Sequence, residues 1–429
     1  LSRAILKLAY QEALSCRFEQ KHVGVQYTMS IKETFWKNSS LTPVYALEPF
    51  PSTVTKTIFL AGPTPRNGGA KSWREDALTL LAELGYDGHV FIPEASDGVW
   101  KNDYDGQVEW EEEGLNRADV ILFWVPRDLT GNTYGTPMPA LTTNDEWGFW
   151  KKSGKIVWSS PSWADKTSYQ RYYAKKYGIP VGSSLKEGLE LSLGLINGGA
   201  ERTGGECQIP LHVWRKKEFQ SWLTYQKLAG NILNGGRVLW GYFPKPGFMF
   251  CYAVKVDVHV TSENRNKTNE VFFARPDISS VVLYSPSNDD IDIVLIREFR
   301  STVRNNESFV YELPSGSSVS EIDNVLGVAA SEVFEETGLK LNHNRFKRLE
   351  TRQLLSTVSI HTASLFACEL TREEIDQLKA DSAPHGNHIT DSEMTFIEVR
   401  TVSEILESKT IDWTTLGLIF SALHQVLPE

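Results

Sequence analysis

From Lys56 onward the chain alternates short apolar runs with longer amphipathic stretches: KTIFLAG, WREDALTLLAELG, HVFIP, ADVILFWV and KIVWSS follow one another. That order admits few folds. Parallel strands need a long crossover between them and a helix supplies it, so the alternation predicts an α/β unit built on a parallel sheet. The strand runs are nearly continuous in apolar residues, as expected where helices cover both faces of such a sheet. A last helical stretch, SLKEGLELSLGLI, closes the unit near Gly198.

The stretch GGAERTGGECQIPLH is glycine-rich and polar, and VWRKKEFQSWLTYQKLAGN has helical spacing. Together they read as a linker and a connecting helix. Trp214, Phe219, Trp222 and Tyr225 pack that helix against a neighbour in this reading, in preference to stacking on a base. From Phe248 the pattern changes to FCYAVKVDVHV, EVFFARP, SSVVLYSP and DIDIVLIREF, separated by polar turns. These runs predict antiparallel strands joined by hairpins. One helix from about Asp323 to Thr337 interrupts them, and more strands and a C-terminal helix follow, which makes the second unit mixed α/β. The expected organisation is an extension at 1–53, the parallel-sheet domain at 54–198, the linker and helix at 199–245, and the second domain at 246–429. A chain of 429 residues exceeds what one hydrophobic core usually serves.

Composition narrows the partners. A net charge of −10 disfavours a large phosphate-backbone footprint, so no nucleic-acid partner is expected, while small anionic substrates remain compatible with a metal ion and a few arginines. No apolar run is long enough to cross a bilayer, and no membrane partner is expected. Cys16, Cys207, Cys251 and Cys368 are far apart and show no CxxC spacing, which argues against a disulfide framework or a structural zinc site. A reducing cytoplasm fits that usage. A homo-oligomer is compatible with everything read so far.

The most chemically loaded segment is SEVFEETGL, residues 331 to 339. Glu332, Glu335 and Glu336 stand at i, i+3 and i+4, which puts three carboxylates on one face of a single helical turn. Such crowding asks for a cation, and Mg²⁺ prefers carboxylate oxygens and water. The plain alternative is a solvated acidic face. YELPSG precedes the helix, and Gly338 follows it in the place of a left-handed cap. The whole arrangement resembles the Nudix family, and VLIREFR together with YELPSG looks most like its ADP-ribose pyrophosphatase branch. The resemblance implies an α/β/α sandwich with a mixed sheet, Mg²⁺ (Mn²⁺ as the alternative ion) held by Glu332, Glu335 and Glu336, and hydrolysis of a nucleoside diphosphate linkage in which Glu332 and Glu336 are catalytic. It implies substrate binding by Arg300 and assistance by Glu393 in a late loop, with Asp391 next. The sequence departs from the family pattern at Asp323, which replaces a glutamate, at Gly316, one residue too far upstream, and at Ser331, which replaces the motif arginine.

The first unit carries a second resemblance. KTIFLAG leads into AGPTPRNGGAKSWRED, a turn opening a helix near Trp73 or Arg74, whose backbone N–H groups can cradle phosphate or sugar oxygens. Further on, Ala118 and Asp119 open a buried-type strand, and Glu146, Trp147 and Gly148 follow its loop, with Glu146 expected at a helix start. This order resembles the nucleoside 2-deoxyribosyltransferase family, on a Rossmann or flavodoxin-like sheet. The resemblance implies Glu146 as the carboxylate nucleophile at an anomeric carbon, with Gly62 and Asp119 binding substrate. Asp128 and Asp76 are weaker candidates whose role as caps is at least as good a reading.

An N-glycosidic bond and a diphosphate occur together in nucleotide-sugar and dinucleotide molecules. The joint expectation is therefore a nucleotide-metabolising hydrolase with both activities acting on small nucleotides. The alternative is a degenerate Nudix domain that senses a nucleotide and regulates the glycosidase, a reading that Ser331 favours.

Overall fold

In the computed structural model, which describes residues 36–64, 71–98, 103–133, 135–287, 290–317, 324–386 and 394–427, the apolar runs become strands as their composition predicts. The described chain divides into two compact units. One holds the chain up to Arg215 with Gly230–Met249 and Lys255–Asn269; the other holds Lys216–Ala229, Phe250–Val254 and Glu270–Glu429. Among the described residues, no helix is long and apolar enough to cross a membrane.

The first unit is built on β1 (Thr42–Tyr45), β2 (Thr53–Val54), β3 (Thr57–Ala61), β4 (His89–Ile92), β5 (Val120–Trp124), β6 (Ile156–Ser159), β7 (Val181–Gly182) and β8 (Arg202–Thr203). Six of them form one sheet in the order β1-β4-β3-β5-β6-β7, parallel throughout. From β4 to β7 this is the doubly wound order of flavodoxin-like sheets, in which successive crossovers reverse direction between β3 and β5. The crossovers carry α1 (Trp73–Glu83), α2 (Tyr104–Arg117), α3 (Leu141–Trp150) and α4 (Ser168–Tyr177), and α5 (Leu185–Ile196) follows β7. Every residue of β3, β5 and β6 is buried, with Phe59, Ile121, Phe123 and Trp158 in the core. Burying each such side chain contributes about 1.5–3 kcal/mol.

Two boundaries differ from expectation. β1 lies within the segment read as an extension and pairs in register with β4, Thr42 opposite His89. The stretch read as a linker is folded into the first unit: β8 pairs antiparallel with β2, and the short helix α6 (Leu211–Trp214) buries Leu211, Val213 and Trp214. β9 (Ile232–Tyr242) also belongs to this unit.

In the second unit α7 (Lys217–Leu228) buries Phe219, whose ring contacts Trp222 at 5.5 Å, while Tyr225 stays exposed. Of β10 (Cys251–Val260) and β11 (Arg265–Ala274) this unit holds the stretches up to Val254 and from Glu270 onward, and a seven-stranded mixed sheet follows. Its members are β12 (Ile278–Pro286), β13 (Ile291–Phe299), β14 (Phe309–Glu312), β15 (Ser315–Ser317), β16 (Lys347–Gln353), β17 (Thr362–Glu369) and β18 (Thr395–Thr401). The pairing of β12 with β17 is parallel; β13 is antiparallel to β12, β14 and β18. Alternate residues of β12 feed opposite cores, as the two-residue period of a strand requires. Val281 and Leu283 pack with α8 (Val325–Thr337) and α9 (Arg372–Ala380); Val282 and Tyr284 pack with α10 (Val402–Ser408) and α11 (Trp413–Val426). Helices therefore cover both faces of this sheet.

Candidate active site

At the carboxyl ends of β3 and β5 the crossovers reverse, which opens the crevice where α/β sheets hold ligands. Gly62 follows β3 with φ of 147°, and a Cβ there would stand 2.1 Å from the Trp124 carbonyl oxygen. Only glycine allows that approach. The Gly62 carbonyl accepts from Arg74 Nη2 at 2.9 Å, so the structure gives Gly62 a scaffolding part and turns its carbonyl toward protein. Arg74 itself is buried at 2% exposure and also donates from Nε to the Leu60 carbonyl at 3.0 Å and from Nη1 to Glu94 Oε1 at 2.6 Å. Ser72 caps the helix, its Oγ accepting from the Arg74 amide at 3.2 Å and donating to Glu94 at 3.0 Å.

Glu146 lies in the second turn of α3 rather than at its start. The helix opens on Ala140, which has a left-handed φ of 57° and supplies no side-chain cap. Its first turn is held instead by Asn144, whose Oδ1 accepts from Arg127 Nη2 at 2.5 Å and from Gln170 Nε2 at 2.9 Å. Trp147 locks the helix to the sheet, its ring 5.7 Å from Phe123 and 4.8 Å from Trp158. Glu146 is thereby left half-buried beside Glu111 of α2. Burial, and then the Glu111 charge, push its carboxyl up to about 8; Arg74 pulls the other way and Asp145 adds to the rise. Burial likewise raises Glu111, against the opposing hydrogen bond from Gln107 Nε2 at 2.6 Å and the Arg74 charge. Two carboxyls and one buried guanidinium thus meet at the switch point, and such perturbed pairs are what acid–base and covalent chemistry uses. Glu111 escapes sequence reasoning because it stands in the acidic run EWEEEG, which reads as a solvated helix face.

Asp119 does not fit the substrate-binding role expected of it. It precedes β5, at the amino end of the sheet, and its fully buried carboxylate pairs with Arg202 while accepting from the Thr57 and Leu211 amides at 2.8 Å each. All its lone pairs face protein. Asp128 is equally committed: it accepts from the amides of Thr130, Gly131 and Thr133, which hold it ionised well below the usual carboxylate range. Asp76 is exposed in the first turn of α1, 4.0 Å from Lys71.

In the second unit α8 presents the acidic turn. Gly338 ends it at φ of 70° and donates to the Phe334 carbonyl at 2.9 Å, the left-handed cap expected from sequence. Val333 is buried in the core, and Glu332 and Glu336 meet β15. Glu336 Oε2 accepts from the Ser315 amide at 3.2 Å, and a Cβ on Gly316 would fall 1.8 Å from Glu332 Oε1. Glu335 is exposed and accepts from Ser331 Oγ at 3.0 Å. Two of the three glutamates therefore meet the strand that follows YELP, and the third does not. Among the described residues, no group of three or more histidine, cysteine or acidic side chains is arranged to hold a metal ion. Asp323, Asp391 and Glu393 lie outside the described residues. Arg300 is half exposed and engaged with Glu298 at 2.5 Å and Glu312 at 3.8 Å. Arg275, which the sequence did not single out, donates to Ser317 Oγ at 2.7 Å, beside Gly316.

Comparison with known proteins bears on the first unit. Residues 55–161, about a quarter of the chain, match the family described as nucleoside 2-deoxyribosyltransferase like. That stretch contains Gly62, Arg74, Glu94, Glu111 and Glu146. No curated protein matches the chain. Among solved structures, the chain is similar to one titled "Crystal structure of ADP compounds hydrolase", with 13% identity over 46% of this chain and 94% of that one, at a TM-score of 0.33. A likeness that slight fixes neither fold nor function.

Proposed function

We propose that the first unit breaks the N-glycosidic bond of a nucleoside or nucleotide, with Glu146 as the reacting carboxyl. The observation that carries this reading is the convergence of Glu146, Glu111 and Arg74 at the sheet's switch point, within the stretch that matches the deoxyribosyltransferase-like family. In the ionised form, Glu146 attacks the anomeric carbon as the bond to the base breaks and its electron pair leaves with the base nitrogen. When Glu146 is ionised, the one proton that the pair retains sits on Glu111, which donates it to the departing base nitrogen. Water or a second base then releases the sugar from Glu146, with Glu111 taking up the proton. Like charges in so small a space favour one proton shared between the two acids, which is the state this sequence needs.

The test is chromatography of products after incubation with a panel of nucleosides, nucleotides and NAD. Free base should appear with the native chain and fall by at least about a hundredfold with Glu146→Gln, in the range expected for loss of a reacting group. Base release that survives Glu146→Gln unchanged would reduce the first unit to a nucleotide-binding scaffold.

A second activity is supported by the way Glu332 and Glu336 meet β15: Mg²⁺-dependent hydrolysis of a diphosphate such as that of ADP-ribose. Their carboxylate oxygens suit magnesium, and the missing side chain of Gly316 leaves the space between helix and strand; Glu335, turned to Ser331, does not join them in this arrangement. Magnesium, when bound, polarises phosphoryl oxygens and lowers the pKa of water. Arg275 and Arg300 offer positive charge to an anionic substrate at the same end of the sheet. Ser331 in place of the family's arginine supports the competing reading of a nucleotide sensor. Magnesium-dependent AMP release from ADP-ribose, abolished by Glu336→Gln, decides for hydrolysis; ADP-ribose binding without turnover decides for the sensor.

A further inference from the structure

Although the chain as a whole is acidic, its charge is unevenly spread. Helix α4, SYQRYYAKKY, contains no acidic residue, and the adjoining end of α3 continues into Lys151 and Lys152. Among the described residues, Lys151, Lys152, Lys175 and Lys176 form no ion pair, whereas many other surface cations of the chain do. Three of these four lysines stand over tyrosine rings. Lys151 Nζ is 5.8 Å from the Tyr173 centroid, Lys152 Nζ is 5.8 Å from that of Tyr177, and Lys176 Nζ lies 5.9 and 6.0 Å from the two.

The rings themselves form a ladder. Tyr169, Tyr173 and Tyr177 recur at intervals of four residues, so they share one face of α4. Tyr173 and Tyr177 stack at 5.7 Å and 26°, Tyr169 meets Tyr173 at 5.0 Å, and Tyr172 stands edge-on to Tyr173 at 5.3 Å. Tyr169 and Tyr172 are 66% and 63% exposed, an unusual cost for large rings on a solvent face.

We propose that this surface binds single-stranded nucleic acid. Lysines that form no ion pair supply the phosphate contacts, Lys151 Nζ donating as well to the Gly148 carbonyl at 2.6 Å, and the two outer tyrosines offer flat faces on which unstacked bases lie. Duplex bases are already stacked and cannot use those faces, which selects a single strand. The net charge of −10 limits the footprint to this one helix, about 15 Å of surface from ten residues at 1.5 Å each. The inference is independent of the glycosidic reading, since none of these residues belongs to the Glu146 cluster.

The test is fluorescence anisotropy of the full chain with a labelled twelve-nucleotide oligothymidylate at 50 and 200 mM salt. Four phosphate contacts give a salt slope of about −2.8, or a loss of about fiftyfold between the two conditions. The triple variant Lys152→Gln, Lys175→Gln, Lys176→Gln should flatten that slope to about −0.7. Tyr172→Ala should weaken binding at least about fivefold with the slope unchanged. Near-UV circular dichroism confirms that each variant keeps its fold. Absence of binding at 50 mM salt, an unchanged slope in the triple variant, or heparin bound as tightly as the oligonucleotide with Tyr172→Ala having no effect would each overturn the proposal. Sedimentation showing a dimer that Tyr172→Ala dissociates would overturn it too, by assigning the surface to a second copy.

Discussion

The Asp119 carboxylate and the Arg202 guanidinium form a two-pronged ion pair, Nη1 to Oδ1 at 2.6 Å and Nη2 to Oδ2 at 2.7 Å, with both side chains fully buried. The pair joins the start of β5 to a segment 83 residues later, and Arg202 also donates to the Ile209 carbonyl at 2.8 Å. Removing one partner leaves the other charge buried and alone. Arg202→Met should therefore cost about 3–5 kcal/mol of stability, read by urea unfolding. Replacing both residues by apolar ones of similar volume should cost less than the single change. A single variant within about 0.5 kcal/mol of the native chain would refute the pairing.

That ion pair also shows where reading the sequence stops. Strands such as VILFW and TIFLA are legible because nearly every residue is apolar and must be buried somewhere. The capped helix ahead of Gly338 is legible because its carboxylates, glycine and apolar residues lie within one local pattern. β1 was missed because TPVY is four residues long, contains a proline, and owes its place to pairing with β4. Asp119 was misjudged because its partner is remote in sequence, and Glu111 was missed because only the reversal of the sheet brings α2 and α3 to one crevice. The local pattern names chemistry; the long-range topology decides which groups meet.

Burial makes Glu146 an electrostatic liability to the fold. Its folded pKa of about 8 exceeds the value near 4.3 of an unfolded chain, so between those limits the folded protein binds more protons and stability falls as pH rises. Glu146→Gln removes that slope. The variant should gain stability over the native chain as pH increases from 5 to 8, on the order of a few kcal/mol at the upper end. Thermal unfolding midpoints at pH 5 and pH 8 measure the difference, and equal midpoint shifts at both would show that Glu146 ionises normally.

Gly316 tests the second unit. An alanine methyl would sit 1.8 Å from Glu332 Oε1, so the glutamate or the strand must move. Overpacking of this kind costs about 1–3 kcal/mol. If Glu332 serves magnesium, Gly316→Ala should raise the magnesium concentration needed for half-maximal ADP-ribose hydrolysis at least about tenfold, while base release by the first unit stays unchanged. Equal loss of both activities would indicate general unfolding instead.

The last prediction concerns the two acids of the crevice. Glu111 raises the Glu146 pKa through its negative charge, and Glu111→Gln removes that charge without removing the side chain. The Glu146 pKa should then fall. If the reacting state holds one proton between the two acids, base release should fall as pH rises through about 8 in the native chain, and that falling limb should vanish in the variant. The loss of Glu111 as a proton donor should lower the maximal rate, about 10²- to 10⁴-fold, so the shape of the profile and its height report separate roles. Carbon-detected titration of labelled glutamate carboxyls reads the same shift without turnover. A Glu146 titration unmoved by Glu111→Gln would separate the two acids and leave Glu111 a residue of the α2 surface.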